Sequence, residues 1–294
     1  MVQDLLPVEL STNGDGAVIA VLTLDQPGRP VVVIDESLLQ RLDATLDTLP
    51  AELGGFVLHS SAPRAFVAGA DLKAIMAMDD AELHAYLEMG ARVFGRIADL
   101  ACPTAAAIHS VALGGGLELA MHCDGLVGLI DPDAKPFLIG LPEAGLKICP
   151  GWGGTNLLAA RIDAEQAIVM TANGRAMKSD QADEFGLFDV TVTSQDELIG
   201  AARAWVGAQE APVRAGRPLR CIDGSNADDM RIALNAAVDQ VEPGLHTDAV
   251  CDAVSVGIES GWDAAIGRER DHLVKLRHSA PAQEAIGAFL NKGK

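Results

Sequence analysis

Short apolar runs, each closed by a glycine- or proline-bearing turn and followed by a stretch of helical periodicity, recur through the first two thirds of this chain. Residues 17–24 (AVIAVLTL) form a β-branched run that ends at Gln26-Pro27-Gly28. Leu38, Leu39, Leu42, Leu46 and Leu49 then recur at helical spacing, with Asp35 placed to cap them. Residues 54–58, 104–108, 126–130 and 137–139 read as further strands, and residues 81–100 and the run from Gly116 through Met121 as helices. A strand needs partners on its edges and a helix must bury one stripe, so this alternation predicts an α/β architecture with a layered core.

The pattern changes near residue 210. Residues 211–229 hold Pro212, Gly216, Pro218 and Gly224 and read as a linker. Beyond it only helical patterning remains, over 230–238, 247–259, 262–276 and 281–290. The expected division is therefore an α/β core over 1–210 and a helical C-terminal region over 211–294. The 294 residues carry a formal net charge of -19, which argues against nucleic acid or an anionic membrane as partner, since both need a positive face. The five cysteines are odd in number, widely spaced and without a CxxC pair, so they read as small apolar residues in a reducing compartment. Residues 1–10 have no basic start before a long apolar run, and no segment approaches the roughly 20 apolar residues of a membrane span. The expected location is the cytoplasm.

Three segments could carry chemistry. In the first, Gly114-Gly115-Gly116 opens a helix, where free N–H groups suit an oxygen that becomes negative during reaction. Glu118 follows one turn in, among Leu117, Leu119, Ala120 and Met121, and burial there would raise its pKa toward acid/base use. A solvated helix glutamate, or a partner that caps the glycine turn, is the alternative. The second segment places Glu143 after Pro142, ahead of a glycine-rich turn at 150–155; alone it reads as a solvated loop residue, and it gains meaning as partner to Glu118. The third, 66–72, is another glycine turn into a helix, with Asp71 best read as the N-cap. Consecutive helix positions point about 100° apart, so His122, Cys123 and Asp124 cannot close on one ion, and no HExxH occurs. No metal site is expected. Nor does a G-x-S-x-G elbow or a Gly-Lys-Ser/Thr phosphate loop appear.

Taken together, AFVAGADL at 65–72, ALGGGLELAMHCD at 112–124 and GLPEAGLKICPGWGGT at 140–155 resemble the crotonase (enoyl-CoA hydratase/isomerase) superfamily. VIAVLTLDQPGRP at 18–30 is similar to the family's first strand and turn. The closing segment from Arg268 resembles the end of the hydratase portion of multifunctional fatty-acid oxidation alpha subunits. The resemblance implies a crotonase-like spiral of strand-strand-helix repeats, with a C-terminal region that serves oligomerisation and walls the site. It assigns an oxyanion hole to the amides of Ala70 and Gly115. Glu118 and Glu143 would bind the attacking water and pass a proton to the α-carbon, giving 3-hydroxyacyl-CoA. Gly151 would shape the water site, backbone near Ala68 and Asp71 would meet the adenine end of coenzyme A, and Arg64 and Lys73 would face its phosphates. The coenzyme A thioester is then substrate, and no separate cofactor is implied. A homotrimer or hexamer, and a separate dehydrogenase chain, are the implied partners. Isomerisation from Δ3 to Δ2, using the glutamate at position 143 alone, is the neighbouring activity, and a non-catalytic acyl-CoA-binding or scaffolding subunit the other reading. Two departures stand out: Val31-Val32-Val33 occupies the place of a usual asparagine, and Glu118 and Glu143 are 25 positions apart, a few more than usual. The extra residues fall in 129–136, which reads as a surface hairpin between strands.

Overall fold

The computed structural model describes residues 4–292. An antiparallel pair, β1 (Val8–Thr12) and β2 (Val18–Leu24), leads into α1 (Glu36–Leu46), whose N-terminus is capped by the Asp35 carboxylate on the Leu38 amide. Three strand-strand-helix units follow. The first is β3 (Gly55–Ser60) and β4 (Ala65–Val67) with α2 (Leu72–Ala77) and α3 (Asp80–Ala98). The second is β5 (Thr104–Ile108), β6 (Val111–Leu113) and α4 (Gly115–Met121). The third is β7 (Gly125–Leu129) and β8 (Leu138–Gly140), then a 3-10 turn at Glu143–Leu146 and α5 (Gly154–Ala159). Next come α6 (Ala164–Ala172), β9 (Ala176–Lys178), α7 (Ser179–Glu184), β10 (Val190–Val192) and α8 (Gln195–Ala208). The chain closes with α9 (Ala227–Val238), α10 (Leu245–Ser260), α11 (Trp262–Leu276) and α12 (Ala280–Lys292).

Each of the three units gives one strand to each of two sheets. The larger sheet runs β1-β2-β3-β5-β7-β10 and the smaller β4-β6-β8-β9. Pairing is parallel throughout except for β1 with β2 and β8 with β9. This is the mixed α/β spiral that the family resemblance predicts. It also corrects one expectation. Residues 129–136 do not form a hairpin, because β7 pairs in the larger sheet and β8 in the smaller. The segment is the crossover between sheets, equivalent to the β3–β4 and β5–β6 connections, and its residues 131–135 are exposed.

Strand composition follows burial on two faces. The β5 sequence TAAAI is buried at all five positions. Ala105 and Ala107 face α8, which packs Leu198, Ala202 and Val206 against Ile19, Val21, Val57 and Val127. Ala106 and Ile108 join the main core with Phe56, Phe66, Phe94 and Trp152. Fully covered strands read as apolar runs rather than alternating ones. The irregular segment after α8 is pinned by Arg214, which donates to both oxygens of Asp124 and to the carbonyls of Leu100 and Cys102. It ends earlier than the composition predicts, since α9 begins at Ala227.

Candidate active site

Because β4, β6 and β8 are parallel neighbours, the residues that leave their C-terminal ends emerge side by side. The turns at 68–71, 114–115 and 141–143 therefore meet at one cavity of about 340 Å³. Its lining includes Ala68, Ala70, Leu72, Ile75, Gly115, Glu118, Glu143, Gly151, Trp152, Leu273 and Phe289. Two glycines shape the turns. Gly69 has φ +112° and Gly114 φ +54°, a backbone that side chains rarely adopt.

The amides of Ala70 and Gly115 are left without acceptors among the described residues. For Ala70 the cause is the parallel bridge to Ile34, which donates to the Gly69 carbonyl and accepts from the Asp71 amide. The Ala70 N–H between them has to face away. For Gly115 the cause is its place at the first turn of α4, where N–H groups have no carbonyl behind them.

Three carboxylates gather at the site, those of Glu118 and Glu269 buried and that of Glu143 half-buried. Glu118 is 1% exposed, and its Oε1 accepts from the amides of Trp152 and Gly154, both at 2.8 Å. Burial, then the charges of Glu269 and Glu143, push its carboxyl well above the usual range, against the pull of the two amides. Glu143 has a shielded Oε2 with no partner among the described residues, and burial pushes it up to about 8. Glu269, on α11, is wholly buried and pushed up to about 7 by burial, opposed by its donors. Its Oε2 accepts from Gly153 at 2.6 Å, and its Oε1 from the Thr155 amide at 2.9 Å and hydroxyl at 2.5 Å. His122 supports α4 as a neutral ring: its Nδ1 lies 2.8 Å from the Glu118 carbonyl, and burial pulls it down to about 4.

Of the residues singled out from sequence, Ala68, Ala70, Gly115, Glu118, Glu143 and Gly151 all line the cavity. Arg64 and Lys73 are exposed and outside its lining, and the Asp71 carboxylate caps α2 through the Lys73 and Ala74 amides. The amide of Ala68 is already committed to the Val32 carbonyl. The Val31-Val32-Val33 segment is held there by Gln26, whose Oε1 accepts from the Val33 amide at 2.8 Å. Sequence reading missed Glu269. A signal existed: it falls on the stripe Trp262, Ala265, Ile266, Leu273 and Leu276, where an apolar residue belongs.

A sequence profile of the enoyl-CoA hydratase/isomerase family matches residues 14–214. The chain belongs to this family. Over 269 residues it is 34% identical to the fatty acid oxidation complex subunit alpha of Vibrio cholerae, a match that covers 87% of this chain and 37% of that protein. It thus spans little more than a third of the curated relative's length. A carnitinyl-CoA dehydratase from Mycobacterium thermoresistibile superposes with a TM-score of 0.69 at 20% identity, covering 96% of this chain and 89% of the other. An enoyl-CoA hydratase from Bacillus halodurans gives 0.66 at 18% identity, covering 96% and 99%. These two likenesses are of fold. Within this member of the enoyl-CoA hydratase/isomerase family, the stretch matched by the profile includes Ala70, Gly115, Glu118 and Glu143. Glu269 lies beyond it.

Proposed function

We propose that this chain adds water to trans-2-enoyl-CoA, giving 3-hydroxyacyl-CoA. The observation that carries the reading is the convergence of Glu118 and Glu143 on one largely apolar cavity beside the unpartnered amides of Ala70 and Gly115. Those amides would hold the thioester oxygen, stabilising the negative charge that grows there as water adds. Glu118, anchored through Oε1, would hold the water with its other oxygen and take one proton as the water oxygen bonds to C3. The two carboxyls would hold one proton between them; the amides that donate to Glu118 favour its ionised form, so Glu143 would deliver the proton to C2. One water is consumed, and a proton passing back from Glu118 to Glu143 resets the pair. The thioester is the substrate, and this scheme uses no metal or further cofactor.

Ala68 on the cavity wall supports entry of the coenzyme along that edge, with Arg64 and Lys73 on the surface outside it as partners for phosphate. In our reading Gly151 leaves room for the water. Among the described residues no helix is long and apolar enough to cross a membrane, and the cytoplasm is the proposed setting. Exposed Ile232, Val238 and Leu245 on α9 and α10 support assembly of three or six copies. In the same reading a separate dehydrogenase chain takes the product; the relative's name, a subunit of a fatty acid oxidation complex, supports a partner chain.

The test follows the loss of enoyl-thioester absorbance with Glu118→Gln and Glu143→Gln beside the unmodified protein. Hydration predicts that each substitution lowers kcat by roughly 10²–10⁴. Loss confined to Glu143→Gln assigns Δ3–Δ2 isomerisation. An unmodified protein that is silent across chain lengths points to acyl-CoA binding without chemistry.

A further inference from the structure

We propose that Glu269 is a positioning residue for this reaction: from α11 it grips the turn at 152–155 and through that turn fixes the Glu118 carboxylate. The inference rests on the hydratase reading above. Its basis is an alternation along four consecutive amides. Those of Trp152 and Gly154 donate to Glu118, and those of Gly153 and Thr155 donate to Glu269. The turn is thus strung between two carboxylates, one from α4 and one from α11, and neither set of bonds can shift without moving the other.

The chemistry of Glu269 fits no simpler role. It is wholly buried, and no lysine or arginine pairs with it among the described residues. A buried carboxylate without a counter-charge is costly, and an apolar side chain at that place on α11 would be the cheaper way to fill the core. Every bond Glu269 makes goes to this one turn, including the Thr155 hydroxyl. Gly153 closes the packing from the other side. It sits at φ +95°, and a Cβ there would stand 2.3 Å from the Trp262 ring at the start of the same helix.

Glu269 also sets the charge around the reacting groups. It faces Glu118, Glu143 and the Cys149 thiol, and raises all three. On the packed helices, Asp252 of α10 is paired with Arg268 and His272, and Glu88 of α3 with Arg270. Removing the Glu269 charge should therefore move the pH limb that reports Glu118 toward lower pH.

The test measures kcat, KM, the pH profile and thermal unfolding for Glu269→Gln and Thr155→Val. The Gln variant keeps the shape but removes the charge and misdirects one amide. The Val variant removes the hydroxyl that donates to Glu269 and accepts from the Asn156 amide, and leaves the charge in place. Positioning predicts a fall in kcat of about tenfold or more for Glu269→Gln, with KM within about threefold and the limb lowered by about half a pH unit or more. Thr155→Val should lose about threefold or more in kcat and keep the limb in place, because the charge stays. If Glu269→Gln does not fold, Thr155→Val decides alone. An unchanged kcat in the folded variants, or a raised KM at constant kcat, overturns the inference while leaving the hydratase reading intact. An inactive unmodified protein overturns both.

Discussion

At the scale of single residues the site is defined by what cannot be added. A Cβ on Gly114 would lie 2.5 Å from Glu143 Oε1, on a backbone at φ +54°. Gly114→Ala should therefore displace Glu143 and strain the turn together. We expect kcat/KM to fall by about 10² and stability by about 1–3 kcal/mol, read from steady-state rates and urea unfolding. Gly115 is as tight, with the Trp152 ring 2.4 Å from its missing Cβ. Glu118 was legible in the sequence because its neighbours are apolar, and the glycines because they open a helix. Glu269 showed only as a carboxylate on an apolar stripe; its partners, two backbone amides and the Thr155 hydroxyl, lie more than a hundred positions away, and amides leave no mark in residue identity.

Among the elements, α11 has the widest reach. Glu269, Leu273 and Arg277 follow each other at intervals of four along one side. The first holds the turn at 152–155, the second lines the cavity, and the third sits at the helix C-cap and donates to the carbonyls of Ile75 and Met78 at the end of α2. Since α2 supplies Leu72 and Ile75 to the cavity wall, this grip shapes that wall of the pocket. Arg277→Ala leaves both carbonyls without this donor and Asp80 with His278 as its partner. The expected result is a loss of about 2–4 kcal/mol in unfolding and a severalfold rise in KM that exceeds any change in kcat. The spans of α1, β5, α4 and α11 could be read from periodicity, which reports a face. Sheet membership could not, since three-residue strands such as β4, β6 and β8 carry too little pattern, and the 129–136 crossover consequently passed for a hairpin.

For the molecule as a whole, buried ionisable groups set how stability varies with pH. Glu118, Glu143 and Glu269 all titrate above their ordinary 4.5 in the folded state. The native protein therefore holds protons that the unfolded chain releases; for Glu143 and Glu269, pushed up to about 8 and about 7, the stability they give is complete below about 4.5 and is lost as pH climbs to about 8. His59 and His122, pulled down to about 4 mainly by burial, act in the opposite sense: the unfolded chain takes up their protons first as pH falls below 6.5. The two tendencies oppose each other below 6.5, and above it these histidines no longer contribute. Tm at constant ionic strength should thus fall between pH 6.5 and 8, and Glu143→Gln should flatten that slope. The net charge of -19 adds self-repulsion in the same direction.

The shared turn also imposes an order on assembly. Glu118 precedes the four amides in the chain, whereas Glu269 follows Gly153 by 116 positions. As a nascent chain leaves the ribosome, the sheets and α4 can gather with Trp152 and Gly154 already held. Gly153 and Thr155 wait for a helix not yet made. The pocket is finished by a helix that is made after most of the core that surrounds it.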